Sequence, residues 1–108
     1  METNFKISAV QLEKAITVKT RLLILCSPCN PTGAVYSLKE LEDIATVILK
    51  HDNLLVISDE IYEHINYVGR HYSIAELPGM KERTILINGV SKAYAMTGYR
   101  IGFMAGPQ

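Results

Sequence analysis

The sequence predicts an α/β fold organised on a mostly parallel, helix-flanked sheet. Three observations carry that reading. Continuous apolar runs recur at Arg21-Leu22-Leu23-Ile24-Leu25-Cys26, Leu54-Leu55-Val56-Ile57-Ser58 and Thr84-Ile85-Leu86-Ile87. Runs of this kind fit strands buried on both faces of a parallel sheet. A strongly periodic helix pattern separates the first two. Each run then stops at polar or turn-forming residues, which places side chains at the carboxyl ends of strands, where open α/β sheets hold ligands.

Composition bounds the molecule. The chain has 108 residues, 48% hydrophobic and 20% charged, with a formal net charge of zero. That length suits one small domain with one core. The balanced charge gives no sign of a nucleic-acid surface or a polybasic membrane patch. The apolar runs are far too short to span a bilayer. Met1 to Lys6 has no apolar signal core, so a cytoplasmic protein is expected. Two cysteines make no disulfide framework. No internal repeat, low-complexity segment or linker interrupts the chain.

Taken in order, Ser8 caps a short helix from Ala9 to about Ile16. Thr17 to Thr20 connects it to the first strand. Ser27-Pro28-Cys29-Asn30-Pro31-Thr32-Gly33 follows, and two prolines and a glycine in seven residues exclude regular structure there. Ser37 opens the best helix, with Glu40 completing a capping box. Leu38, Leu41, Ile44, Ala45, Ile48 and Leu49 then recur at helical spacing until Lys50-His51. The second strand ends at Asp59-Glu60. Ile61 to Val68 is mixed, and Ser73 to Leu77 fits one helical turn. A fourth strand is expected from Tyr99 to Ala105, closing at Gly106-Pro107. Strand, helix, strand, irregular crossover, strand implies parallel pairing.

Polar residues follow the strand ends in succession: Asn30, Asp59 and Lys92. Neighbouring strands lie about 4.8 Å apart, so such side chains could meet on one cofactor-sized ligand. Lys92 past a buried strand could be partly desolvated and act as a nucleophile toward carbonyls. Arg100, eight positions on, has the fork geometry for a phosphate. Each residue also has an ordinary reading. A lone lysine after a strand is usually solvated surface, Asp59-Glu60 could merely start a loop, Asn30-Pro31 could be only a turn, and Tyr62 could be a core aromatic. Arg100 could pair with a surface carboxylate. Cys26-Ser27-Pro28-Cys29 fits a CxxC template, but the prolines argue against a following helix and no second ligand pair exists. No metal site is expected, and the three histidines show no spacing tied to these cysteines.

Asn30-Pro31-Thr32-Gly33, Ser58-Asp59-Glu60-Ile61-Tyr62 and Ser91-Lys92-Ala93-Tyr94-Ala95-Met96-Thr97-Gly98-Tyr99-Arg100-Ile101-Gly102 together resemble the class I aminotransferases, fold-type I pyridoxal phosphate enzymes. The branch with bacterial aspartate aminotransferases is the most similar. The resemblance implies that Lys92 forms the internal aldimine and moves the substrate α-proton. It implies that Asp59 pairs with the pyridine nitrogen, and that Asn30 and Tyr62 donate to the ring's phenolic oxygen. Arg100 matches the arginine on the cofactor phosphate, and Ser91 falls within the same binding motif. Gly89 stands where other branches place a phosphate-binding serine.

The resemblance also implies pyridoxal 5'-phosphate as cofactor, an amino acid and a 2-oxo acid as substrates, and a homodimeric parent. Residues 1–108 correspond to part of the large, cofactor-binding domain, without the upstream phosphate loop or the C-terminal small domain. The expected reaction of a full-length parent is amino transfer from an aspartate-like or aromatic amino acid. The segment alone is expected to be inactive. Two alternatives stay open: a β-lyase or synthase of the same fold, and a non-catalytic truncated domain that binds cofactor or a partner.

Overall fold

The computed structural model describes residues 4–107. Helix α1 (Ala9–Ala15) begins at Ser8, whose hydroxyl accepts from the Gln11 amide while the Gln11 side chain returns to the Ser8 amide. Helix α2 (Leu38–Leu49) has the same reciprocal cap between Ser37 and Glu40. Each cap satisfies two amides that the first helical turn leaves without partners. Burial alone would raise the Glu40 carboxyl. Lys6 and the Ser37 donors outweigh it and hold the group below its usual range.

Strands β1 (Leu22–Cys26), β2 (Leu55–Asp59), β3 (Thr84–Gly89) and β4 (Gly102–Ala105) form one sheet in the order β1-β2-β3-β4. The first two pairings are parallel, with Cys26 opposite Asp59 and Asp59 opposite Ile87. The three carboxyl ends therefore stand nearly level. The segment between β2 and β3 is irregular, with 3₁₀ turns at Ile74–Glu76 and Lys81–Arg83.

The sequence sets no direction for β4, and its start departs from expectation. The strand pairs antiparallel to β3, with Gly102 opposite Gly89 and Ala105 opposite Leu86. It also starts later than Tyr99, because Thr97–Tyr99 closes a 3₁₀ turn and Arg100 takes a left-handed backbone, φ 56°. A residue in that conformation cannot continue an extended strand. The reversal returns the chain to the edge where β1, β2 and β3 end, and so brings Arg100 there.

The core lies between α2 and one face of the sheet. Leu41, Ile44, Ala45 and Ile48 pack with Leu25, Leu54, Val56, Ile74 and Met80, and Leu12 of α1 joins them. Each fully buried aliphatic side chain contributes about 1.5–3 kcal/mol. The expectation that strands are buried on both faces fails. Leu22, Ile24, Leu55, Ile87 and Met104 are exposed, because among the described residues the helices cover one face only. Among these residues no helix is long and apolar enough to cross a membrane.

Candidate active site

The edge formed by the strand ends carries the residues singled out from sequence. β1 leads into the Pro28–Gly33 loop, which turns back through Gly33 N–H to Cys29 C=O at 2.8 Å and Cys29 N–H to Ala34 C=O at 3.0 Å. Asn30 projects from this loop, and its amide Nδ2 donates to the Tyr62 hydroxyl at 3.1 Å. Tyr62 comes from the turn after β2, so two loops separated by 32 positions in sequence meet at one hydrogen bond. Lys92, from the turn after β3, places Nζ 5.9 Å from the centre of the Tyr62 ring. His64 and Tyr94 link the same two turns edge to face, with centroids 6.1 Å apart.

Asp59 is the last residue of β2 and is half-buried. Its carboxylate accepts from the Ile61 amide at 3.2 Å, closing a local turn. Strand alternation points it to the open face of the sheet, the side of Cys26. Cys26 feels it there: burial first, and then the Asp59 charge, push the Cys26 thiol up. Cys26 and Cys29 are both free thiols.

Ser91 is half-buried at the start of the third loop. Arg100 is exposed, and its guanidinium donates to the Thr97 carbonyl at 2.9 Å. Ala95 and Arg100 both hold positive φ, 52° and 56°. Such conformations cost non-glycine residues about 1–3 kcal/mol each and concentrate at functional loops. Gly89 has a steric reason. A Cβ there would stand 2.9 Å from the Ile101 carbonyl oxygen and 3.1 Å from Gly102 Cα. The close approach of β4 occupies the space that a serine side chain would need.

One expectation is corrected. Lys92 is exposed, so residues 4–107 do not supply the desolvation that the sequence reading invoked. Asn30 and Tyr62 line a groove of about 340 Å³ with Pro28, Pro31 and Val35, while Asp59, Lys92 and Arg100 stand outside its walls. The donor set still suits an aldehyde-bearing pyridine phosphate. It offers an amine, a carboxylate, an amide and phenol in mutual contact, and a guanidinium, all on one sheet edge.

A second cluster lay beyond the sequence reading. Glu60, adjacent to Asp59, is 2% exposed. Its Oε1 accepts from Ser58 Oγ at 2.8 Å and Ser73 Oγ at 2.6 Å, and its Oε2 pairs with His71 Nε2 at 2.7 Å. Burial alone would raise Glu60, but His71, Ser73 and Ser58 together hold it below the usual carboxylate range. The Glu60 hydrogen bond in turn raises His71, against its own burial. Glu63 also brings a ligand-type atom within 4.8 Å of the pair. The oxygens of Glu60 are already taken by two hydroxyls and an imidazole, which makes the group an ion pair. The signal for it was present in strand alternation: Val56, Ser58 and Glu60 share the covered face, so Glu60 had to be buried and needed partners.

The family described as aminotransferase class I and II matches residues 1–108. The chain is 58% identical to a bifunctional aspartate aminotransferase and glutamate/aspartate-prephenate aminotransferase of Petunia hybrida, over 97% of this chain and 22% of the relative. It is 55% identical to the aspartate aminotransferase of Pyrococcus abyssi, over 98% of this chain and 27% of that protein. The crystal structure of the aspartate aminotransferase of Rhizobium meliloti superposes with a TM-score of 0.91 at 48% identity, over 95% of this chain and 26% of that one. An aromatic aminotransferase from Pyrococcus horikoshii gives 0.92 at 58% identity, over 96% and 28%. The chain thus spans roughly a quarter of the length of these relatives. Family match, fold and strand-end residues agree: this chain belongs to the class I and II aminotransferases, a family that works with pyridoxal phosphate.

Proposed function

We propose that residues 1–108 form part of the cofactor-holding domain of an amino-acid aminotransferase. The proposed reaction is amino transfer from an aspartate-like or aromatic amino acid to a 2-oxo acid. The observation that carries the proposal is the meeting of three loops at Tyr62: Asn30 on its hydroxyl at 3.1 Å and the Lys92 amine 5.9 Å from its ring. The names of the relatives, aspartate and aromatic aminotransferases, support the substrate class.

When bound, pyridoxal 5'-phosphate supplies an electron sink for the substrate α-carbon. The roles of the chain's own residues follow from their chemistry. Lys92 would hold the cofactor at its aldehyde, and its Nζ would take and return the substrate α-proton. Asp59 would keep the pyridine nitrogen protonated. Asn30 and Tyr62 would donate to the ring oxygen. Ser91 and Arg100 would hold the phosphate, with Arg100 as a charged fork. The proposal includes a homodimer, as the family resemblance implies. Free Cys26 and Cys29 fit a reducing compartment such as the cytoplasm.

Borohydride trapping tests the centre of this reading. The complete protein carrying this segment, incubated with pyridoxal phosphate and reduced, should yield one dominant adduct, mapped by peptide mass spectrometry to Lys92. Adduct spread evenly over the other lysines would refute a selective site.

A further inference from the structure

We propose that Glu60, clamped by Ser58, His71 and Ser73, is a positioning residue that fixes Asp59 and Tyr62 against the cofactor. The inference rests on the reading above. It starts from the strand pleat. Asp59 and Glu60 are consecutive, so their side chains leave β2 on opposite faces. Asp59 points to the open face, and Glu60 turns under the sheet into a buried position.

Few carboxylates are buried this deeply, and one without partners would be strongly destabilising. Glu60 uses every bonding group it has. Its amide donates to the Ile87 carbonyl of β3 at 2.9 Å, and its carbonyl accepts from the Glu63 amide at 2.9 Å. Its carboxylate binds Ser58 within β2, and His71 and Ser73 at the far end of the loop. One residue thereby ties together β2, β3, the turn that bears Tyr62, and the point where the crossover re-enters the core.

The stretch between these anchors, residues 61–72, has no helix or strand of its own. Its conformation depends on its tethers. Its further side-chain contacts include Asn88 Nδ2 to Glu63 at 2.7 Å, Asn30 to Tyr62, and the His64–Tyr94 ring pair. Asp59 lies one residue before Glu60 and Tyr62 two residues after. Rotation of the Glu60 peptides would therefore displace both groups from the edge. Charge-assisted hydrogen bonds to a buried group are the stronger kind, so the His71 contact should carry much of the clamp.

The experiment compares Glu60→Gln and His71→Gln with Ile48→Ala in the complete protein reconstituted with pyridoxal phosphate. Ile48 is fully buried in α2, away from the strand ends, and serves as a purely destabilising control. Three readouts are taken: melting temperature of the cofactor-free protein, cofactor dissociation constant, and the pKa of the Lys92–cofactor imine from its absorbance. Glu60→Gln should weaken cofactor binding about ten-fold and shift the imine pKa, with His71→Gln changing both in the same direction. Ile48→Ala should lower the melting temperature and leave both cofactor readouts unchanged. If Glu60→Gln fails to fold, His71→Gln carries the comparison, since its side chain is partly solvated. Polar variants that lower the melting temperature but match Ile48→Ala in both cofactor readouts would overturn the positioning role. Absence of any imine on Lys92 in the unsubstituted protein would instead overturn the reading on which it rests.

Discussion

Asp59 and Glu60 show how one peptide unit separates two carboxylates into different chemistry. Asp59 is half-buried on the open face beside the strand ends, whereas Glu60 is sealed beneath the sheet and paired with His71. Substituting Asp59 with Asn should lower turnover by orders of magnitude while much of the cofactor stays bound, because the ring nitrogen would lose the counter-charge proposed for Asp59. Steady-state rates beside the cofactor absorbance give the check, and near-normal turnover would remove Asp59 from the site. The Glu60–His71 pair makes a separate prediction about pH. Glu60 lies below its ordinary 4.5 in the fold, so its stabilisation is present above about pH 4.5 and is lost as pH falls through the lowered value. His71 lies above its ordinary 6.5, so its stabilisation is present below about pH 6.5 and is lost as pH rises through the raised value. Both conditions hold between those two values. The melting temperature difference between the unsubstituted protein and His71→Gln should peak in that window, and a difference flat with pH would contradict the ion pair.

At the scale of elements, the helices were legible in the sequence because their signals are local. Ser8 and Ser37 cap as their spacing predicts, and α2 buries the periodic Leu41, Ile44 and Ile48. Ser37→Ala should cost about 1 kcal/mol, read by denaturant unfolding, since the Glu40 amide loses its acceptor. The three parallel strands were legible from their apolar runs. The sequence predicts that Asn30, Asp59 and Lys92 converge. Parallel pairing puts their strand ends level, but the contacts of Asn30 and Lys92 are to Tyr62, while Asp59 bonds the Ile61 amide. What was not legible depended on long-range contacts. The direction of β4 is set by its pairing with β3, and no periodicity in Gly102–Ala105 encodes it. The role of Gly89 likewise became visible only with the Ile101 carbonyl beside it. Gly89→Ala should force β3 and β4 apart, destabilise the fold by about 1–3 kcal/mol, and weaken the phosphate contact proposed for Arg100. Equal stability and equal cofactor affinity in that variant would show that the strand ends can relax without cost.

At the scale of the whole molecule, the sheet is apolar on both faces but covered on one. Ile24 is 69% exposed on β1, whose other face packs under α2, and Met104 is 77% exposed on β4, which is exposed along its whole length. β1 and β4 end the sheet, and each presents backbone groups that no other strand pairs among the described residues. A polypeptide of residues 1–108 alone should therefore associate at micromolar concentration, visible by light scattering, as open apolar faces and edges do. It should also lack appreciable aminotransferase activity, for a reason that lies in positioning. Amino transfer requires the substrate carboxylate to be held so that the α-proton faces the base, proposed above to be Lys92, and such positioning can supply about 7–11 kcal/mol of the barrier in favourable cases. Within residues 4–107, Lys92 and Arg100 both stand exposed, Arg100 bonds only to its own loop, and nothing closes over the amine. A proton held at an open surface exchanges with water as readily as with the substrate. A coupled assay with aspartate and 2-oxoglutarate on well-folded 1–108 measures this directly. Turnover well above that of free pyridoxal phosphate, and lost in Lys92→Ala, would show that these 108 residues hold the substrate as well as the cofactor, and would move the substrate site onto the edge described here.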